Sequence, residues 1–271
     1  EIRDALKEFK MNGKFVYTYA TTFNQTSYYL GSIADSIFMY PTGIISLQGL
    51  STTTPFFTET MSEIGIKPEI IRHGKFKAAV EPFMNTEMSE ENRLQTKKLL
   101  EDVWDTMLND ISIERKIDKN NLNRIIDELL ITKSPENIVT LGLIDSLIYP
   151  DQFNIMLAEK TKKTSNELEF LSLYDLKSKT KKSKHQIAII YAEGGIDGDP
   201  ENIHSGYMKT IKEVFENKEI DAVVLRINSP GGSALISDEI LSQIKLSKKE
   251  KPLVVSMGNV AASGGYYIAC G

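Results

Sequence analysis

Along the chain, short apolar runs of strand length alternate with longer stretches in which apolar residues recur every three or four positions. Residues 15–19, 44–48, 67–72, 186–192, 222–228 and 253–257 are rich in β-branched and aromatic side chains and read as strands. Ser89-Glu90-Glu91-Asn92 has the polar start of a helix, and Leu94, Leu99, Leu100, Val103, Trp104, Met107 and Leu108 carry it at helical spacing to about residue 113. A second helix is predicted over 120–130. The methionine and tryptophan on the first apolar stripe read as core positions rather than cofactor contacts. Strands that alternate with helices predict an α/β fold with largely parallel strands.

The pattern also repeats. Lys14-Phe15-Val16-Tyr17-Thr18-Tyr19 leads to Gln25-Thr26-Ser27-Tyr28-Tyr29-Leu30, and 238 residues later Pro252-Leu253-Val254-Val255-Ser256-Met257 leads to Ser263-Gly264-Gly265-Tyr266-Tyr267-Ile268. At the same offset Glu1-Ile2 pairs with Glu239-Ile240, Leu6 with Ile244 and Lys7 with Lys245, so helix, strand and following helix recur without a gap. Such a repeat implies two tandem-duplicated domains, of which this sequence would hold a fragment truncated at both ends. Residues 176–184 carry five lysines and almost no apolar side chain, the composition of a solvated linker. The expected organisation is therefore an N-terminal domain over 1–175, a linker over 176–184 and the beginning of a C-terminal domain over 185–271.

Composition narrows the function classes. A chain of 271 residues with 41% hydrophobic residues is ordinary for a globular protein and can bury a sizeable core. The net charge of -5 and the scattered lysines and arginines give no basic footprint, which argues against a nucleic-acid partner. The single cysteine, Cys270, rules out an intramolecular disulfide and a cysteine-based metal cluster. The longest apolar runs fall far short of the roughly 20 residues of a membrane helix. Neither a metal nor a cofactor is expected.

Two loops follow apolar strands and carry candidate chemistry. In Asn228-Ser229-Pro230-Gly231-Gly232-Ser233, the glycines permit positive φ and expose backbone N–H groups, as an oxyanion hole requires. A phosphate loop would need a Lys-Ser or Lys-Thr after the glycines, or spaced glycines, and has neither. In Asn259-Val260-Ala261-Ala262-Ser263-Gly264-Gly265, small residues flank Ser263 as they flank a nucleophile on a tight strand-to-helix turn. The N–H of Gly264 or of the glycine loop would then meet the developing oxyanion. Helix capping is the competing role for Ser263, and Pro-Gly-Gly is equally the composition of a plain turn.

A serine nucleophile needs a base. His73, His185 and His204 lie in no recognisable triad context. A lysine, protonated at neutral pH, would serve only if burial among apolar groups lowered its pKa by about 3 units. Phe76, Ala78, Ala79, Val80 and Phe83 offer such a setting for Lys77, although the residues alone do not separate Lys77 from Lys75.

Together these segments resemble the signal peptide peptidase A (protease IV) family, in the long tandem form of Gram-negative bacteria. The resemblance rests on Arg226-Ile227-Asn228-Ser229-Pro230-Gly231-Gly232-Ser233, on Gly258-Asn259-Val260-Ala261-Ala262-Ser263-Gly264-Gly265-Tyr266-Tyr267, and on Lys77-Ala78-Ala79-Val80-Glu81-Pro82-Phe83. It implies a Clp protease/crotonase-like fold of repeated ββα units, and a serine endopeptidase that degrades cleaved signal peptides and other hydrophobic peptides. Ser263 would be the nucleophile, Lys77 the base, and Gly231, Gly232 and Gly264 the oxyanion site. The family also implies a homotetramer, anchored in the bacterial inner membrane by a segment outside this sequence, with its catalytic part facing the periplasm. A crotonase-like acyl-CoA enzyme and a non-catalytic scaffold are the alternatives, since the fold shares glycine-rich loops with the former.

Overall fold

The computed structural model describes residues 1–172 and 183–271, and the chain divides into two compact units, Glu1–Phe170 and Leu171–Gly271. Most of the linker expected over 176–184 lies outside the described residues.

The first unit runs α1 (Ile2–Met11), β1 (Tyr17–Phe23), α2 (Gln25–Gly31), β2 (Ser36–Ile45), α3 (Thr58–Glu63), α4 (Glu90–Arg115), α5 (Lys119–Asp127), α6 (Pro135–Thr140), β3 (Ser146–Leu147) and α7 (Pro150–Thr161). The three strands pair in parallel in the order β1-β2-β3. Ile37 and Met39 of β2 are sealed against Ile111 of α4 and Leu122 and Ile125 of α5, all with no exposed surface. The long helix α4 begins where its polar start predicts, because the Ser89 hydroxyl accepts the Asn92 N–H. It ends at Lys116, which adopts a left-handed conformation.

The second unit runs β4 (Ile187–Ile196), α8 (Tyr207–Glu216), β5 (Ala222–Gly232), α9 (Ala234–Ser247), β6 (Leu253–Ala261) and α10 (Gly264–Ala269). Its strands are again all parallel, in the order β4-β5-β6. Val223, Leu225 and Ile227 alternate on the covered face of β5 and are buried with Ile240 and Ile244 of α9 and Ile268 of α10. Parallel strands joined through helices account for the near-continuous apolar runs in the sequence. Among the described residues no helix is long and apolar enough to cross a membrane.

Three local expectations shift. Residues 67–72 form no strand: Pro68 has no N–H for a ladder, and most of the segment is exposed. Of the strand expected over 44–48, only Ile44 and Ile45 are strand, as the end of β2, which begins at Ser36. Pro230-Gly231-Gly232 is not a free turn but the end of β5, where Gly195 and Ile196 of β4 pair with Gly231 and Gly232 beyond a bulge.

The two units share one local order. Helix α1, strand β1 and helix α2 correspond to α9, β6 and α10. The strands end at Phe23 and Ala261 and the helices at Gly31 and Ala269, in each case 238 residues apart.

Candidate active site

Ser263 stands between β6 and α10, in the turn from Ala262 to Gly265, which the Gly265 N–H closes by donating to the Ala262 carbonyl at 2.8 Å. Its backbone has φ 49° and ψ -122°, a region populated mainly by glycine and typical of the first central residue of a type II′ turn. Holding a serine there costs on the order of 1–3 kcal/mol, a cost the surrounding structure must offset. The capping alternative is not realised, because the Ser263 side chain makes no cap hydrogen bond, whereas those of Asn24, Ser89, Ser134 and Ser233 do. Ser263 is exposed at the protein surface.

The end of β5 packs directly on this turn. A Cβ built on Gly231 would lie 2.7 Å from Ser263 Cβ and 2.6 Å from the Gly264 nitrogen, and Gly231 has φ 92°. A Cβ on Gly264 would lie 2.4 Å from Ser237 Oγ and 3.4 Å from the Gly232 nitrogen. Glycine is therefore needed at 231 for backbone to approach backbone, and at 264 to leave room for the Ser237 side chain. Ser263, Gly264 and Gly232 line a cavity of about 410 Å³, with Ser237, Asp238 and Tyr267 on its wall, and Gly231 packs against Ser263 and Gly264.

Sequence reasoning did not single out the residues that brace this arrangement. Ser229 is fully buried, and its hydroxyl accepts the Gly231 N–H at 3.1 Å while its carbonyl accepts the Ala262 N–H at 3.0 Å. A serine two residues before a glycine, next to a proline, was the available signal, since serine hydroxyls stabilise such turns. Ser237, also buried, donates from its hydroxyl to the Ser233 carbonyl at 2.7 Å. Tyr267 donates its hydroxyl to Asp238 at 2.8 Å, and that bond, with the carboxylate charge beside it, pushes the phenol up from its ordinary value.

No histidine is among the residues lining this cavity. His204 accepts the Gly206 N–H on Nδ1, and His185 stands 3.4 Å from Asp221. Among the described residues, no three histidine, cysteine, aspartate or glutamate side chains cluster as metal ligands.

Lys77 belongs to the first unit. It precedes a short 3-10 turn, Ala78–Phe83, and it is exposed, as are Phe76 and Phe83. Its own segment therefore does not supply the apolar burial expected from the sequence. Lys75 is paired with Glu91 at 3.7 Å, whereas among the described residues no carboxylate pairs with Lys77.

In the first unit the position equivalent to Ser263 is Gln25, the first residue of α2 behind an ordinary Asn24 cap. The Gln25 side-chain oxygen accepts the N–H groups of Gln48 and Gly49, both at 3.1 Å, and its amide donates to the Gly49 carbonyl.

The profile of peptidase family S49 matches residues 8–164 and 245–271, which include Lys77 and Ser263. Protease 4 of Haemophilus influenzae is 30% identical over 286 residues, covering 99% of this chain and 46% of that protein. Protease 4 of Salmonella typhi is 32% identical over 282 residues, again covering 99% of this chain and 46% of the relative. The chloroplastic serine protease SPPA of Arabidopsis thaliana is 32% identical over 288 residues, 99% of this chain and 42% of its own length. The chain thus spans about half the length of the curated relatives it matches.

Proposed function

The chain belongs to peptidase family S49, and on that premise we propose that it carries both halves of a Ser-Lys dyad of a serine endopeptidase. The observation that carries this reading is the turn at Ser263: an uncapped serine in a glycine-type conformation, pressed against the glycine end of β5. In this reading Ser263 Oγ attacks the peptide carbonyl, and a neutral Lys77 takes its proton and returns it to the leaving amine. The backbone N–H groups of Gly232 and Gly264 stabilise the oxyanion, whereas that of Gly231, expected to join them, already donates to the Ser229 hydroxyl. Lys77 is exposed in its own segment, so the reading requires apolar surface from elsewhere to desolvate it and lower its pKa.

The order shared by the two units, and the two segments matched by the family profile, support a tandem duplication of a Clp protease/crotonase-like domain. Hydrophobic peptides, including remnant signal peptides, are the substrate class implied by the resemblance of the Lys77 and Ser263 segments, and a putative signal peptide peptidase SppA of Enterococcus faecium, 39% identical over 69 residues, supports it. A membrane-associated homo-oligomer is part of the same proposal. Labelling of the intact protein by a fluorophosphonate tests the dyad. Ser263→Ala and Lys77→Ala should each slow labelling by roughly 10³-fold or more, and Lys75→Ala should leave it nearly unchanged. Undiminished labelling in Lys77→Ala would remove the lysine from the mechanism. Coenzyme A binding by an unlabelled protein would favour the acyl-CoA alternative.

A further inference from the structure

Between Leu47 and Asn92 the chain buries a single residue completely, and that residue is a carboxylate, Glu81. A buried charge is costly unless it is paired and hydrogen-bonded. Glu81 has four such contacts. Oε1 accepts the Ser89 hydroxyl at 2.5 Å and faces Arg72 Nη1 at 3.5 Å, while Oε2 accepts the Ser89 N–H at 3.2 Å and the Asn92 side-chain amide at 3.0 Å. Asn92 is itself oriented, because its Oδ1 accepts from Gln95 and Thr96, both at 3.2 Å, which turns the NH₂ toward Glu81. Burial pushes the Glu81 carboxyl up, but the bonds from Ser89, Asn92 and Arg72 outweigh it and hold the group below the usual glutamate range.

The same guanidinium reaches the candidate base. Arg72 Nη1, which faces Glu81, also donates to the backbone carbonyl of Lys77 at 3.4 Å, and the Lys77 N–H donates to the Gly74 carbonyl at 3.4 Å. Lys77 is the residue that enters the 3-10 turn Ala78–Phe83, in which Glu81 sits. One buried carboxylate therefore ties the turn to the first residues of α4 and, through Arg72, ties down the backbone of Lys77. The side chain of Lys77 projects from this clamped backbone without an ion pair of its own among the described residues, so the fastening acts on its Cα rather than its ammonium.

We propose that Glu81 is the positioning residue of the Lys77 segment, locking it to the start of α4 through Ser89 and Asn92 and to Lys77 itself through Arg72. The proposal rests on the dyad reading, since positioning Lys77 matters for turnover only if Lys77 is the base. In Glu81→Gln the shape is kept, but one oxygen becomes an NH₂ that meets a donor from Ser89, Asn92 or Arg72. The expected result in the intact protein is a fall in kcat of about 10–100-fold, the scale of a misplaced catalytic group, with KM nearly unchanged. Trypsin cleavage after Lys75 and Lys77 should accelerate in parallel. Ser89→Ala, which removes only one contact to Glu81 together with the α4 cap, should show a smaller change in the same direction in both readouts. Lys77→Ala is the control that separates the two ideas. If it keeps full activity, the dyad fails and the positioning role fails with it. If Lys77→Ala is inactive while Glu81→Gln has wild-type kcat and wild-type cleavage rates, the positioning role alone is overturned.

Discussion

At the scale of single residues, the site is defined by where glycine-type backbone is occupied by glycine and where it is not. Gly231, at φ 92° with a would-be Cβ 2.7 Å from Ser263 Cβ, has no room for a side chain. Gly231→Ala should therefore destabilise the second unit by about 2–4 kcal/mol and abolish fluorophosphonate labelling, measured by urea unfolding and gel fluorescence. Ser263 presents the opposite case, since its φ of 49° disfavours any side chain. Ser263→Gly should raise the stability of that unit by about 0.5–1 kcal/mol while removing the proposed nucleophile, and a loss of stability would argue against strain at this turn. Glu81 gives a pH signature. Its folded pKa is depressed, so its contribution is fully present above the ordinary glutamate pKa of about 4.3 and disappears as pH falls through the lower folded value. Glu81→Gln should cost about 1–3 kcal/mol at pH 7, through buried groups left unpaired, and progressively less toward pH 3, as read from urea midpoints.

At the scale of elements, what was legible from sequence was whatever rests on a local rule. The start of α4 followed from Ser89, and the strands 186–192, 222–228 and 253–257 followed from uninterrupted β-rich runs that parallel pairing requires. What failed depended on partners distant in sequence. Residues 67–72 look like a strand but have no neighbouring strand to pair with, and the glycines at 231 and 232 look like a turn because their pairing with β4 cannot be seen locally. The apolar pocket expected around Lys77 failed for the same reason, since a run of apolar neighbours says nothing about what covers them. Glu81, the most constrained side chain of that segment, carried no local signal at all, because its partners lie up to eleven residues away on another element. For Ser263 the sequence allows a helix cap, a role that its missing cap bond removes and that no local pattern could exclude. The equivalent helix in the first unit starts from an Asn24 cap in ordinary extended conformation, so Gln25→Ser places a serine on relaxed helical backbone. No fluorophosphonate labelling at residue 25 is expected, and labelling there would show that the strained turn is not what activates Ser263.

At the scale of the whole molecule, the chain divides into two units, each with a parallel three-stranded sheet and its own buried cluster among the described residues. Ile125 on α5 belongs to the first cluster, and Ile227 on β5, five residues before Gly232, belongs to the second. Each is fully buried, so truncation to alanine removes about three methyl or methylene groups and leaves a cavity, at a cost of about 2–5 kcal/mol. The consequences for function should differ. Ile227 lies on the strand whose end forms the glycine side of the Ser263 cavity, so Ile227→Ala should slow labelling of Ser263 as well as loosen its unit. Ile125→Ala should show its main effect as faster amide exchange within residues 1–170, with labelling changed only so far as the Lys77 segment is disturbed. Hydrogen exchange resolved by peptide, combined with labelling rates, separates these outcomes. Equal protection loss in both units for either substitution would mean that the two buried clusters behave as a single cooperative core.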